Sequence, residues 1–399
     1  MAYYHKLGEI PHKRHTQFRQ PDGSLYKEQL VGTHGFSGVS SLLYHIHPPT
    51  QISRIGEAKP YAPKKAEGIK LAPHHLRTLS VETTGPDYLS ARKTMLFNND
   101  VAISICNPSE REMGYYYKNA QADEVVFVHE GNGDLLTQMG HIPFKPGDYL
   151  VIPRTIIHKF RFDAGKVRLL VVESFSPVET PRRYRNHFGQ LLEHAPFCER
   201  DMRPPVELIT ETERGERLVQ IKKEGELHQF YYDFSPFDAV GWDGYFYPYA
   251  FSIYDFEPIT GRIHQPPPVH QTFEGHNFVI CSFVPRLFDY HPLSIPAPYN
   301  HSNVDSDEVL YYVEGNFMSR KGVDIASFTV HPGGIPHGPH PGTTEASIGK
   351  KGTEEYAVMI DTFKPLYITE EAVPYLDHNY PMSWNEPGNS NDFKGEQLD

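Results

Sequence analysis

Two stretches of this chain repeat each other, and the repeat limits its possible folds more than any other feature. Asp123-Glu124-Val125 running to Glu130-Gly131 returns as Asp307-Glu308-Val309 running to Glu314-Gly315, with the Glu-to-Gly spacing kept. Residues 149–158, YLVIPRTIIH, return without a gap as residues 328–337, FTVHPGGIPH. Self-similarity of this kind predicts two related structural units. Around the first copy lie short apolar runs bounded by turn residues: Val101-Ala-Ile-Ser-Ile, Glu124-Val-Val-Phe-Val-His-Glu, Asp148-Tyr-Leu-Val-Ile and Val167-Arg-Leu-Leu-Val-Val-Glu. Such runs read as strands. The 35 Pro, 31 Gly, 25 Tyr and 24 Phe suit many short strands joined by turns, not a helical bundle. The expected fold class is mainly β, a duplicated barrel.

The 399 residues suffice for two such units. Residues 1–175 are expected to hold an extended N-terminal arm and a first, metal-free barrel. Residues 176–228, rich in Pro, read as a linker with one short helix near 183–194. Residues 229–399 read as the second barrel, ending in a polar, frayed tail from 385 on. Residues 51–86 read as surface loop or subunit packing. The net charge of −12 argues against general nucleic-acid binding, which needs a basic footprint. Cys106, Cys198 and Cys281 lie far apart, so neither a thiolate zinc site nor a disulfide framework is expected. The N-terminus has no apolar signal region and no stretch of 18 apolar residues occurs, so no membrane association is expected. A reducing, cytoplasmic compartment follows from these readings.

His301, Glu308 and His337 are the candidate metal ligands. Two imidazoles and one carboxylate can fill one face of an octahedral metal and leave the other open, as in non-haem Fe(II) oxygenases. Each residue alone reads as an ordinary surface or hydrogen-bonding group. Their joint spacing and its echo in the first half carry the metal reading. Asp305 and Asp307 are rival carboxylates. The first half keeps Glu124 and His158 but has Tyr117 where the second has His301, so only the second barrel is expected to hold metal. His-x-Asn-x4-Glu-x6-Gly followed by Pro-x-His resembles the two-part signature of cupin barrels, with Asn303 at the usual second His. His331 could hydrogen-bond a substrate or a ligand. His264, in a Pro-rich loop, could move protons near neutral pH. Tyr299 and Arg320 are candidate pocket lining, and His270 and His340 stand further from that role.

Over most of its length the chain resembles the homogentisate 1,2-dioxygenase family, particularly its shorter bacterial forms. The resemblance rests on LYKEQLVG at 25–32, on Pro298-Tyr-Asn-His301-Ser-Asn303, and on Pro336-His337-Gly338-Pro339. It implies a bicupin with Fe(II) on His301, Glu308 and His337. It implies substrate contact by His331, Tyr299 and His337, and His264 as the acid/base at the ring hydroxyl. The implied reaction opens homogentisate with O2 to maleylacetoacetate, in tyrosine and phenylalanine catabolism, and the implied assembly is a trimer or hexamer. The chain departs from the family in three ways. Its carboxylate lies seven residues after the first His rather than six, it is shorter than better-known members, and Asn300 and Phe317 replace tyrosines. A gentisate-like acid, a non-catalytic binding bicupin and a sugar isomerase therefore stand as rival readings.

Overall fold

The computed structural model describes residues 3–315, 317 and 322–385. Arg320 and the tail from residue 386 lie outside these. Two large sheets pack face to face at the centre. One has seven strands, in the order Tyr249–Ser252, Asp148–Ile152, Asp123–Glu130, Arg168–Ser174, Val101–Cys106, Arg92–Phe97 and Tyr367–Ile368. The other has six, in the order Gln271–Gly275, Phe278–Phe283, Tyr356–Thr362, Asp307–Glu314, Phe328–His331 and His74–Leu76.

Successive strand residues point to opposite faces. Val125, Phe127, Ile103 and Val172 of the first sheet meet Ile280, Val309, Tyr311 and Ile360 of the second in one shared core. The alternate residues face away into two separate interiors. Val126, Val128, Leu150 and Val171 line the first, and Val279, Cys281 and Met359 the second. Burial on both faces explains why these strands read as unbroken apolar runs rather than alternating ones. The protein is thus mainly β, with two cupin-like barrels back to back. Among the described residues no helix is long and apolar enough to cross a membrane.

The barrels exchange edge strands. His74–Leu76, from the N-terminal part, pairs with Phe328–His331 of the second sheet. Tyr367–Ile368, from the C-terminal part, pairs with Arg92–Phe97 of the first. The boundary expected at residue 229 does not follow the strand pairing. Glu226–Phe234 pairs with Arg54–Pro60 and Ala239–Gly244 with Ser40–His45, so both belong to the first half. The expected N-terminal arm is likewise folded, residues 3–60 supplying four strands. The helix expected near 183–194 is only a single 3-10 turn, Arg182–Tyr184. Asn186 ends it: its Oδ1 accepts from the backbone N–H groups of Phe188 and Gln190, and Gly189 turns with φ +88°. An Asn side chain that captures backbone donors competes with helix continuation.

Candidate metal centre and active-site cleft

His301 and His337 are tied to each other through the backbone. The His301 N–H donates to the His337 carbonyl at 2.8 Å, and the reverse bond is 2.9 Å. This is one hydrogen-bonded antiparallel pair, and it puts both side chains on the same side. Gly338 follows. A Cβ there would lie 2.2 Å from Asn300 Oδ1 and 2.8 Å from Asn300 Cα, so the close approach requires glycine. Glu308 comes from the neighbouring strand, where it is buried opposite His331 on one side and Asp361 on the other.

Backbone carbonyls orient both imidazoles. The Nδ1–H of His301 donates to Tyr299 O at 3.2 Å, and that of His337 to Ile335 O at 3.1 Å. Each Nε2 is then turned toward Glu308, the arrangement used to aim a metal-binding imidazole. The Nε2 atoms of His301 and His337 stand 3.7 and 3.5 Å from the Glu308 carboxylate. The three ligand atoms all lie within 4.8 Å of one another. Donors sharing one divalent ion at ~2.0–2.2 Å stand roughly 3 Å apart, so the set fits a single ion with little adjustment. His337 Nε2 is buried and makes no hydrogen bond among the described residues, as an atom reserved for metal would. Burial alone would raise the Glu308 pKa, but the imidazoles of His301, His331 and His337 outweigh it and hold the carboxyl well below its ordinary range.

The first barrel shows what this position needs. There Tyr117 and His158 form the equivalent backbone pair, Glu124 is the equivalent carboxylate, and Glu173 lies opposite it as Asp361 lies opposite Glu308. That barrel carries its own cations. Arg92 Nη1 sits 2.9 Å from Glu124 and Lys222 Nζ 2.5 Å from Glu173, all four groups being buried. The Tyr117 hydroxyl also donates to Glu124, at 2.8 Å. In the second barrel, no Lys or Arg among the described residues forms an ion pair with Glu308 or Asp361. Burial, with Glu308 beside it, pushes the Asp361 carboxyl up. A buried carboxylate beside a half-buried one, without a fixed cation, is costly to ionise fully unless a bound cation compensates the pair.

Next to this cluster, a cleft of about 560 Å³ is lined by His264, Asp289, His291, Tyr299 and Asn300, among others. The Tyr299 ring meets His264 edge-on at 5.1 Å and His301 at 6.3 Å, so it spans from the cleft to the ligand set.

The family model described as the homogentisate 1,2-dioxygenase N-terminal region matches residues 6–253. A relative named "Putative dioxygenase", from Saccharolobus solfataricus, is 42% identical over 96% of this chain and 99% of its own length. The chain belongs to the homogentisate 1,2-dioxygenase family. Two homogentisate 1,2-dioxygenases are more distant. The one from Bradyrhizobium diazoefficiens is 25% identical over 94% of this chain and 90% of its own. The one from Arabidopsis thaliana is 27% identical over 94% and 88%. A solved structure titled as a glyoxylate-induced protein of Pseudomonas aeruginosa is 14% identical, with a TM-score of 0.37. It covers 79% of this chain and all of its own.

Within this family frame, the expected residues fall into distinct places. His301, Glu308 and His337 come together. The rival Asp307 points elsewhere, its two oxygens accepting from the Gly333 and Leu366 N–H groups at 2.7 Å each. His264 and Tyr299 line the cleft. His331 does not, contrary to the substrate contact expected of it. It is fully buried, its Nδ1–H donates to Glu308 at 2.8 Å, and its Nε2 accepts from the Tyr380 hydroxyl at 3.2 Å. It therefore braces the carboxylate. Phe317 is buried against Tyr312, ring to ring at 4.5 Å. Burial, with Arg286 and His264 nearby, lowers the His270 pKa to about 3, so it stays neutral near pH 7 and is no proton carrier. His340 stacks on Trp384, ring to ring at 4.5 Å. Sequence reading missed Asp361, Arg92 and Tyr380. Asp361 alone had a signal, through the match of residues 357–362 to the Glu173 strand.

Proposed function

We propose that the chain is a non-haem Fe(II) dioxygenase that opens the ring of homogentisate with O2 to give maleylacetoacetate. The observation that carries this reading is the three-donor set of His301, Glu308 and His337 beside a cleft walled by Tyr299 and His264. Three protein donors on one side leave coordination positions for substrate and gas. Iron, when bound, supplies the activation of O2 toward the ring. The chain supplies the rest. His301, Glu308 and His337 hold the ion, the last also touching substrate, and His331 with Tyr380 fixes the Glu308 carboxylate. Tyr299 offers a flat face against which an aromatic ring can be placed. His264 accepts the proton of the ring hydroxyl remote from the metal and later returns it. Holding ring and ion in register is itself a large part of catalysis. Metal stays in the second barrel because Arg92 and Lys222 already neutralise the equivalent carboxylates of the first.

A second reading keeps the iron and exchanges the substrate for another hydroxylated aromatic acid such as gentisate. Asn300 on the cleft wall and Phe317 in the interior favour it, since both replace tyrosines of the family. Assembly into a trimer or hexamer, and a cytoplasmic location in tyrosine and phenylalanine catabolism, belong to the same proposal. Exposed Ile263, Tyr290 and Leu293 near the cleft mouth support the assembly.

The test is oxygen uptake by protein reconstituted anaerobically with Fe(II), with homogentisate and gentisate in parallel and product absorbance followed. Stoichiometric uptake with homogentisate is the expected result. Uptake with gentisate alone would replace the substrate. Iron without uptake would indicate a different aromatic acid, and neither iron nor uptake would leave a binding bicupin.

A further inference from the structure

His264 stands on a loop stapled to another. The Tyr290 N–H donates to Gly261 O at 3.2 Å and the His291 N–H to Arg262 O at 2.9 Å. Thr260 Oγ1 donates to Leu287 O at 3.0 Å. These bonds set residues 287–291 alongside residues 260–262, two positions before His264. Asp289 is brought opposite the imidazole as a result, with Oδ2 3.6 Å from His264 Nδ1. The turn bearing Asp289 is itself fixed. Ser294 Oγ donates to Asp289 O at 2.7 Å, and the Leu293 N–H donates to His291 Nδ1 at 3.0 Å. His291 is thus committed to its own loop. The Asp289 side chain is 18% exposed and that of His264 45%, and both line the cleft. The charged and titratable groups around His264 are Asp289 and His291 from one loop, Tyr299 from another, and the neutral His270.

We propose that Asp289 is the positioning residue for His264. It accepts the Nδ1–H, selects the tautomer whose Nε2 is bare, and turns that Nε2 toward the substrate hydroxyl. The inference rests on the reading of this cleft as the substrate site. When the hydroxyl is deprotonated, its O–H electron pair stays on oxygen and the proton bonds to Nε2. The imidazolium formed carries its second N–H toward Asp289, whose negative charge stabilises it. The proton returns from Nε2 as the opened product is protonated, so the pair ends unchanged. A separation slightly longer than a hydrogen bond is usual for such pairs before substrate binds.

The test uses Asp289→Asn, Asp289→Glu and the unaltered protein. Imidazole 15N spectra of the metal-free protein read the tautomer directly, with His264 assigned by its loss in His264→Phe. The expected result is an Nδ1–H tautomer for His264 in the unaltered protein, lost in Asp289→Asn and partly restored in Asp289→Glu. With iron loaded, Asp289→Asn should lower kcat on the order of tenfold or more while KM and iron content hold. An unchanged tautomer, or unchanged kcat in an active enzyme, would overturn the proposal. If the unaltered protein consumes no O2 with any aromatic acid, the functional reading fails, and the tautomer result alone decides whether Asp289 governs His264.

Discussion

At residue 338 a single methyl group would decide the proposed metal centre. The Cβ of Gly338→Ala would press on Asn300, which precedes His301, and drive apart the backbone pair joining the two histidines. Iron content of the purified variant should fall to a small fraction of normal while circular dichroism keeps the β signature. Normal iron loading would show that the close approach is dispensable. His337→Ala should lose iron and activity and still fold, because the backbone pair with His301 does not depend on the side chain. Full activity in that variant would refute the ligand set. His264→Phe should keep its iron and lose about a hundredfold or more in turnover, the usual share of a general acid–base group. Unchanged turnover would remove its catalytic role.

Strands carry the next set of consequences, because the repeat places equivalent side chains on equivalent strands. Arg92 on one strand neutralises Glu124 on another inside the first barrel. Arg92→Met should destabilise the protein by about 3–5 kcal/mol, since it strands a buried charge. The pH response should also change sign. Burial pushes the Glu124 pKa up, but Arg92 outweighs it and holds it below 4.5. The pair's stabilisation is then present above pH 4.5 and lost as pH falls through the lower, folded value. Without Arg92, only His158 and the hydrogen bonds from Tyr88, Tyr117 and Asn119 oppose burial, and the Glu124 pKa rises. The variant should then gain stability on acidification from pH 7 toward 5, as read by urea midpoints. A variant that instead loses stability over that range would show that burial does not control Glu124. The strands themselves were legible in the sequence because both faces are buried and the apolar runs are dense. The clustering of His301, Glu308 and His337 was legible because they sit in one segment at fixed spacing. Arg92 was not, since nothing near it marks a guanidinium folded into the place of a metal. Nor was Asp289, whose relation to His264 exists only through the pairing of two irregular loops. The Asp307 ambiguity was inherent, because the bend before residue 307 hides the strand phase.

Across the molecule, the two barrels meet through the shared core and through polar links, among them the Tyr149 and Ser282 hydroxyls 2.8 Å apart and the Tyr311 hydroxyl, which donates to His129 Nδ1 at 3.1 Å. Burial, aided by Arg168, lowers the His129 pKa to about 4, so it is neutral when folded. The unfolded chain takes up that proton near pH 6.5, so this group costs stability as pH falls from 6.5 toward 4, by at most about 1.4 kcal/mol per pH unit. His129→Gln keeps an acceptor for Tyr311 and should flatten the loss in urea midpoint over that window. An identical slope would show that His129 is not involved. The exchanged edge strands bear on how such a chain is made. On a ribosome, the first barrel's sheet has no outer strand until residues 367–368 have been synthesised. The second sheet's outer strand, residues 74–76, emerges long before the strand it must join. The first barrel therefore cannot be completed before the strands of the second have been made. Closure falls near the end of translation, and a messenger cut short between the halves would yield two open edges rather than one sound domain.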